Sequence, residues 1–365
     1  MTKRFSCITQ YFTPTETVSP KVNNFNIIRF FAAFMVIYGH MSAVMGYGAF
    51  SVLSQHVSTI AVKIFFIVSG YLITKSYLSD SHFGRYMIRR SFRIFPALIA
   101  LVLLTVFVVG PLTTELTLSE YFSNISTWRY FKNLLLSPVY TLPGVFLDGP
   151  YPNTVNGSLW TLPVEFLMYL VLPVFVILFK KLGSIKWGMG AMAVITLTVS
   201  VLYLECFREV RLVIWGTNLP DMIPLIPFFF IGSFFSFPEM KKYLNLQLSV
   251  ALLILASFAQ TRESVHEVIV ALVLPYFILS LALTEKPIFS KWFAKSDFSY
   301  GLYLYGFVVQ QIVYRLLAPT ELSVLNVALI SFAVTLVIAI PSWYLVEKPM
   351  QKLGQAWIRR LQHKT

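Results

Sequence analysis

Apolar residues run through the chain in blocks of near-constant length, parted by short polar stretches. Each block is about 20 residues long, which is what a helix needs to cross a hydrocarbon core. The pattern predicts ten spans: 27–47, 59–78, 94–113, 160–179, 188–206, 220–237, 246–260, 265–284, 299–317 and 324–345. Spans seven and eight are separated only by the polar stretch QTRESVHE. The ten-residue alternating segments of a transmembrane barrel are not seen. The expected fold class is all-α: a polytopic membrane protein with ten transmembrane helices. Composition agrees, with 12% charged residues against about 25% in soluble domains. Mean hydropathy is +0.71.

The positive charges set the orientation. With the N-terminus inside, 21 lysines and arginines fall in inner segments, among them Lys3, Arg4, Lys21, Lys286, Lys291, Lys295 and Lys364. Six fall in outer loops, including Arg129, Arg208 and Arg315. That asymmetry puts both termini in the cytoplasm. The net charge of +13 is explained the same way, and no nucleic-acid partner is implied. The first 26 residues are polar, carry no cleavable signal, and are expected to remain as a cytoplasmic segment. Residues 27–346 form the membrane domain, and residues 347–365 are expected to form a basic cytoplasmic tail. Cys7 and Cys206 fall on opposite sides of the membrane, so neither a disulfide nor a metal site is expected.

One outer loop, about 114–159, is long, and loops of that length are uncommon unless functional. It is expected to act as a lid or an acceptor-binding surface, the bland reading being a plain connector. Its tripeptides Asn124-Ile-Ser126 and Asn156-Gly-Ser158 fit a glycosylation sequon by chance alone.

Ionisable residues inside apolar spans are functional candidates, because each costs several kcal/mol unless paired or hydrated. His40, Lys63 and Glu165 are three such residues, and Arg29 sits just inside the inner end of span one. Arg29 and His40 are eleven positions apart. At 100° per residue they share one helical face, about 16 Å apart along the axis. Counting inward from the span ends puts His40, Lys63 and Glu165 in one layer of the outer half, as a buried polar site needs. On the inner side, RYMIRRSFRIFP carries Arg85, Arg89, Arg90 and Arg93, with Arg90 and Arg93 on one face. Clustered arginines suit phosphate groups, although the positive-inside rule also explains a basic inner segment. An acyl-coenzyme A has the shape to bridge the two layers: an anionic head, a long thin arm, and a reactive end.

Six stretches then acquire a common reading. RFFAAFMVIYGH (29–40) resembles the Arg-ten-residues-His signature of the membrane-bound acyltransferase 3 family. VKIFFIVSGYLI (62–73) is similar to its second-helix motif, and RRSFRIFP (89–96) to its Arg-x-x-Arg element. NGSLWTLPVEF (156–166) looks like its Ser-Leu-Trp…Glu motif, and SYGLYLYGF (299–307) and WYLVEKP (343–349) resemble its last two helices. The resemblance implies transfer of an acyl group, usually acetyl, from cytoplasmic acyl-coenzyme A to a sugar hydroxyl. The acceptor would be a surface glycan or its lipid-linked precursor, at the bacterial inner membrane, with acetyl-CoA as donor and no metal. It puts the motif histidine on His40, the motif arginines on Arg29, Arg90 and Arg93, and the motif carboxylate on Glu165. Two positions depart from the family: Lys63 stands where an Asp is frequent, and Tyr305-Gly306 where Trp-His is frequent. Lys63 is expected to pair with Glu165. The chain ends without the soluble domain some relatives carry, so either it completes the transfer alone or a separate periplasmic partner does.

The expected chemistry follows from the nucleophile. A sugar hydroxyl needs a base to take its proton, and a neutral imidazole is poised for that near pH 7. His40 is expected to be that base, or to carry the acyl group transiently, with Glu165 orienting the imidazole. The structural alternatives are a histidine bonded to a neighbouring helix and, for Arg29, a snorkelling anchor. Ser69 is a candidate donor-binding hydroxyl. Lys63, Trp160 and Ser158 are candidates for the substrate site. Gly70 reads as a place for close helix approach, and Tyr300, Tyr303 and Tyr305 as packing residues. A proton- or anion-coupled transporter or lipid flippase using His40, Lys63 and Glu165 is the competing class.

Overall fold

Every predicted span coincides with a helix in the computed structural model, which describes residues 23–362 apart from 49, 208, 260, 285–295 and 319. The polar N-terminal segment as far as residue 22, with Cys7, Lys3, Arg4 and Lys21, lies outside the described residues. So do Arg208, Lys286, Lys291, Lys295 and Lys364.

The long helices are α1 (Phe25–Val44), α2 (Val57–Ser79) and α3 (Phe83–Leu104), with a two-strand hairpin, β1 (Ser51–Val52) and β2 (Gln55–His56), between α1 and α2. The outer segment holds two short helices, α4 (Leu118–Ser123) and α5 (Ile125–Arg129). Then follow α6 (Thr161–Lys181), α7 (Ile185–Leu202), a second small hairpin (Val213–Ile214 with Thr217–Asn218), α8 (Ile226–Phe235), α9 (Leu246–Ser257), α10 (Glu263–Ala282), α11 (Ser299–Leu317), α12 (Val324–Ser342) and α13 (Lys348–Gln362).

Among the described residues, seven helices are long and apolar enough to cross a membrane. Three predicted spans fall outside that set. Pro220–Phe235 and Leu246–Ser257 are short. The third, α11, is long enough but carries Gln310, Gln311 and Arg315. These polar groups are tolerated because α11 is walled by protein, not lipid: every residue from Ser299 to Gln311 is buried. Gln310 donates to the carbonyl of Ile37 (2.6 Å), and Gln311 to those of Thr154 (2.7 Å) and Tyr151 (3.0 Å).

Two other boundaries differ from expectation. Helix α3 starts at Phe83, capped by His82, whose ring accepts from the Arg85 amide. It runs on through a π turn to Thr113. The arginine cluster is therefore a helical face and not a loop at the span's mouth. Within the expected basic tail, 347–365, residues Lys348–Gln362 form α13, which packs on α3: Gly354 lies against Phe92, and Phe92 meets Trp357 edge to face at 6.0 Å.

Helix α2 is central, packing on α1, α6, α8 and α10. Its contact with α8 is backbone to backbone. A Cβ on Gly70 would stand 2.0 Å from the Phe229 carbonyl oxygen, and one on Gly232 would stand 2.2 Å from that of Ile67. Small residues permit such an approach between membrane helices, and Thr74 bonds Ser233 across it (2.9 Å).

The long outer segment is folded, not slack. A capping box closes the start of α4, with Thr117 and Glu120 bonding each other's backbone. Asn124 caps α5. Its final stretch re-enters the bundle. Asn156, fully buried, donates to the Leu304 carbonyl in the N-terminal half of α11 (2.8 Å), and the buried Ser158 hydroxyl bonds Asn156 Oδ1 (2.7 Å). Non-helical backbone at such depth is tolerated only where protein surrounds it. Neither Asn124, used as a cap, nor Asn156, inside the core, is placed as a surface sequon would be.

Candidate functional site

Arg29, Arg89, Arg90 and Arg93 converge on one cavity of about 210 Å³, together with Ser69, Glu165, Tyr169 and Tyr300. Its floor includes Gln351, Gly354 and Gln355 of α13. Six helices, α1, α2, α3, α6, α11 and α13, supply the polar side chains. Like charges this close need acidic partners, and the structure provides them in two sets.

Asp80, at the end of α2, holds the outer pair. It accepts from Arg85 (2.6 Å) and from Arg89 (2.8 Å). The two arginines hold its carboxyl below the usual aspartate range. Asp297, just ahead of α11, holds the inner pair. It bonds Arg29 and, at 2.7 Å, Arg93, while Ser299 donates its hydroxyl to the other carboxylate oxygen at 2.5 Å. Burial alone would raise the Asp297 pKa; the two guanidiniums and Ser299 together depress it to about 2. Glu347, in the π turn after α12, stands 3.5 Å from Arg93. Arg90 differs. Among the described residues it has no acidic partner. Its guanidinium lies over the rings of Tyr86 (5.9 Å) and Tyr169 (5.8 Å), and its Nε is buried without a hydrogen bond. A buried, unsatisfied donor on a cation lining a cavity is chemically suited to an anion; Arg89 shares the unsatisfied Nε but has Asp80 as partner.

A second cavity, of about 330 Å³, lies beyond the first and is lined by His40, Ser58, Thr59, Trp160, Tyr203, Asp221 and Glu263. The His40 ring meets Phe307 edge to face at 5.3 Å, and no hydrogen bond from the described residues fixes its nitrogens. Val62 and Tyr303 line both cavities. The two ends of RFFAAFMVIYGH thus serve two chambers: Arg29 the arginine-rich one, His40 the other.

Several expected placements change. Glu165 is in the arginine cavity and not beside His40: its Oε1 accepts from Tyr169 and, at 3.5 Å, from Ser69. The re-entrant stretch at Asn156–Ser158 is the physical reason, because it starts α6 deeper than a count from the outer surface gives. Lys63 does not pair with Glu165. It is 1% exposed and bonds Glu267 (2.5 Å) and Gln55 (2.8 Å), under the Phe228 ring. It lines neither cavity. Ser158 is a structural residue, bonded within the re-entrant turn. Trp160 and Ser69 do line cavities, the upper and the lower. Gly70 makes the close helix approach read from the sequence.

Asp297, Glu347, Asp80 and Glu267 are polar partners that the sequence reading missed. Asp297 had a local signal: Asp-x-Ser at a helix start, where the carboxylate accepts from the residue two positions on. That bond is present, from the Ser299 amide at 3.2 Å. Among the described residues no group of side chains suited to a metal ion is found.

A family described as an acyltransferase domain, acyltransferase 3, matches residues 22–346. An O-acetyl transferase of Shigella phage Sf6 is 30% identical over 335 residues, covering 90% of this chain and 96% of that protein. Nodulation protein 10 of Rhizobium leguminosarum bv. viciae is 32% identical over 176 residues, 44% of this chain and 45% of that one. The peptidoglycan O-acetyltransferase of Listeria monocytogenes serovar 1/2a is 24% identical over 370 residues, 90% of this chain and 55% of that one. No solved structure matches.

Proposed function

Because the chain belongs to the acyltransferase 3 family and is a multi-pass membrane O-acetyltransferase, we propose that it carries acetyl from cytoplasmic acetyl-coenzyme A to a sugar hydroxyl of a surface glycan or its lipid-linked precursor. The donor's phosphates sit in the lower cavity against Arg90, with Arg29 and Arg93 braced alongside. The pantetheine arm runs toward His40, and the acceptor enters the upper cavity from outside. Both termini are cytoplasmic in this reading, and the membrane is the bacterial inner membrane.

The observation that carries it is the division of labour along α1: a cationic chamber with an unpartnered arginine at one end, a chamber holding an imidazole at the other. The relative that acts on peptidoglycan supports a glycan acceptor. In the reaction, His40 takes the proton of the acceptor hydroxyl as its oxygen bonds the thioester carbonyl carbon. The carbon–sulfur bond then breaks, and the coenzyme A thiolate leaves with the proton held by the imidazolium. Acyl transfer through His40 itself gives the same balance in two steps. Trp160 walls the acceptor side. Glu165, next to Ser69 and Tyr169, serves the donor side.

Purified protein given labelled acetyl-coenzyme A and host glycan extract tests this. Transfer of label to glycan, lost in His40→Ala, is the expected result. Label transfer that survives His40→Ala refutes the base assignment, and movement of substrate across vesicles without donor consumption refutes the enzyme reading in favour of transport.

A further inference from the structure

The wall between the two cavities consists of few side chains. Val62 of α2 and Tyr303 of α11 are the residues common to both linings. If the donor is held below and the imidazole works above, the acyl end has to sit between these two. We infer that Val62 and Tyr303 form a rigid neck that measures the acyl chain, admitting acetyl and rejecting chains of four carbons or more. The inference rests on the donor placement given under Proposed function.

Both sides of the neck are held. The Tyr303 hydroxyl donates to the Ser158 carbonyl at 2.8 Å and also bonds the Thr161 hydroxyl. Its ring packs edge to face on Phe65 at 5.8 Å. These contacts fix both ends of the side chain. The hydroxyl is held by the re-entrant turn and the first residue of α6, and the ring by α2. Opposite, Val62 is β-branched and stiff about χ1. The next residue, Lys63, is pinned to Glu267 and Gln55. About two turns further along, α2 is locked to α8 at Gly70. A neck whose walls cannot retreat discriminates by size, because close-packed interiors resist even one extra methylene. Both residues are 8% exposed, so what exposure they have is toward the cavities they divide.

The test is equilibrium binding of coenzyme A and its acetyl, butyryl and hexanoyl thioesters to the purified full-length protein in detergent. Each affinity is read relative to the same variant's affinity for bare coenzyme A. For the wild type, acetyl-coenzyme A is expected to match or exceed coenzyme A, and the butyryl and hexanoyl thioesters to fall by about tenfold or more, the effect of overfilling a packed site. Val62→Ala removes two methyl groups and should restore the butyryl thioester. Val62→Phe should lower acetyl-coenzyme A relative to coenzyme A. Tyr303→Phe keeps the ring but frees it from Ser158 and Thr161, and should blunt the chain-length step. A wild-type profile that is flat with chain length, or a step unmoved by both Val62 substitutions, overturns the inference while leaving the donor reading intact. Absence of any coenzyme A binding overturns the donor reading and the neck together.

Discussion

The two chambers are built on opposite principles. In the lower one, three of the four arginines are tied to carboxylates, and their positions are set before any ligand arrives. In the upper one, the central imidazole is packed against Phe307 but has no hydrogen bond from the described residues. Binding and chemistry ask different things of a side chain. An anion clamp works best pre-organised, since less freedom is lost on binding. A base has to exchange a proton with its substrate, and a ring already engaged by a carboxylate on one nitrogen is committed to one tautomer. Here, among the described residues, no carboxylate imposes that commitment.

The most severe way to break this contrast is His40→Ala. Transfer should fall by about 10²–10⁴, the usual worth of a general base, while acetyl-coenzyme A binding in the lower chamber is retained. Loss of binding in equal measure, in an equilibrium assay, would show that the chambers are not separate. Next comes Lys63. Its ion pair is fully buried, so Lys63→Ala, which strands Glu267, should destabilise by about 3–5 kcal/mol. The double change Lys63→Met with Glu267→Gln should recover most of it in thermal unfolding. If the single variant is as stable as wild type, Lys63 is not a structural cation.

Arg90 and Arg93 sharpen the comparison within the lower chamber. Arg90→Ala should weaken coenzyme A binding by about 10- to 100-fold, the loss of a charge-assisted contact, and leave the folded state intact. Arg93→Ala should instead lower the melting temperature, because Asp297 and Glu347 lose their shared partner. The smallest effect is on acid stability. The Asp297 carboxyl is depressed from 3.8 to about 2. Its contribution is therefore complete above its unfolded value and is lost as pH falls through about 2, amounting to ~2 kcal/mol. Unfolding followed from pH 5 to pH 2 should show that much less loss in Asp297→Asn than in wild type.

Much of this was legible in the sequence, and the reasons for the remainder are physical. Helix positions followed from block length, and the shared face of Arg29 and His40 followed from helical pitch. Arg90 and Arg93 were found by spacing. Depth, however, is a single coordinate. Hydropathy says how far a residue lies from a surface but not which neighbour its face meets, so Lys63 was assigned to Glu165 when its partner is Glu267. Glu165 itself was put too high because a polar run, NTVNGS, was taken as ending outside the bilayer. Asp297 and Glu347 lie beyond span ends, where a search for charges inside apolar blocks does not look. Helix α13 does not register as a span because it is amphipathic, with too many polar residues for an apolar block.

The bond from Asn156 to the Leu304 carbonyl joins positions 148 residues apart. Five helices are synthesised between the two. The turn that holds Tyr303 and seats α6 is tied early to Tyr140 through the Val155 amide, but its bonds to α11 wait until that helix has emerged. Completion of the wall between the chambers is therefore a late event in biogenesis, and a nascent chain stalled before α11 holds its arginines and its histidine without it.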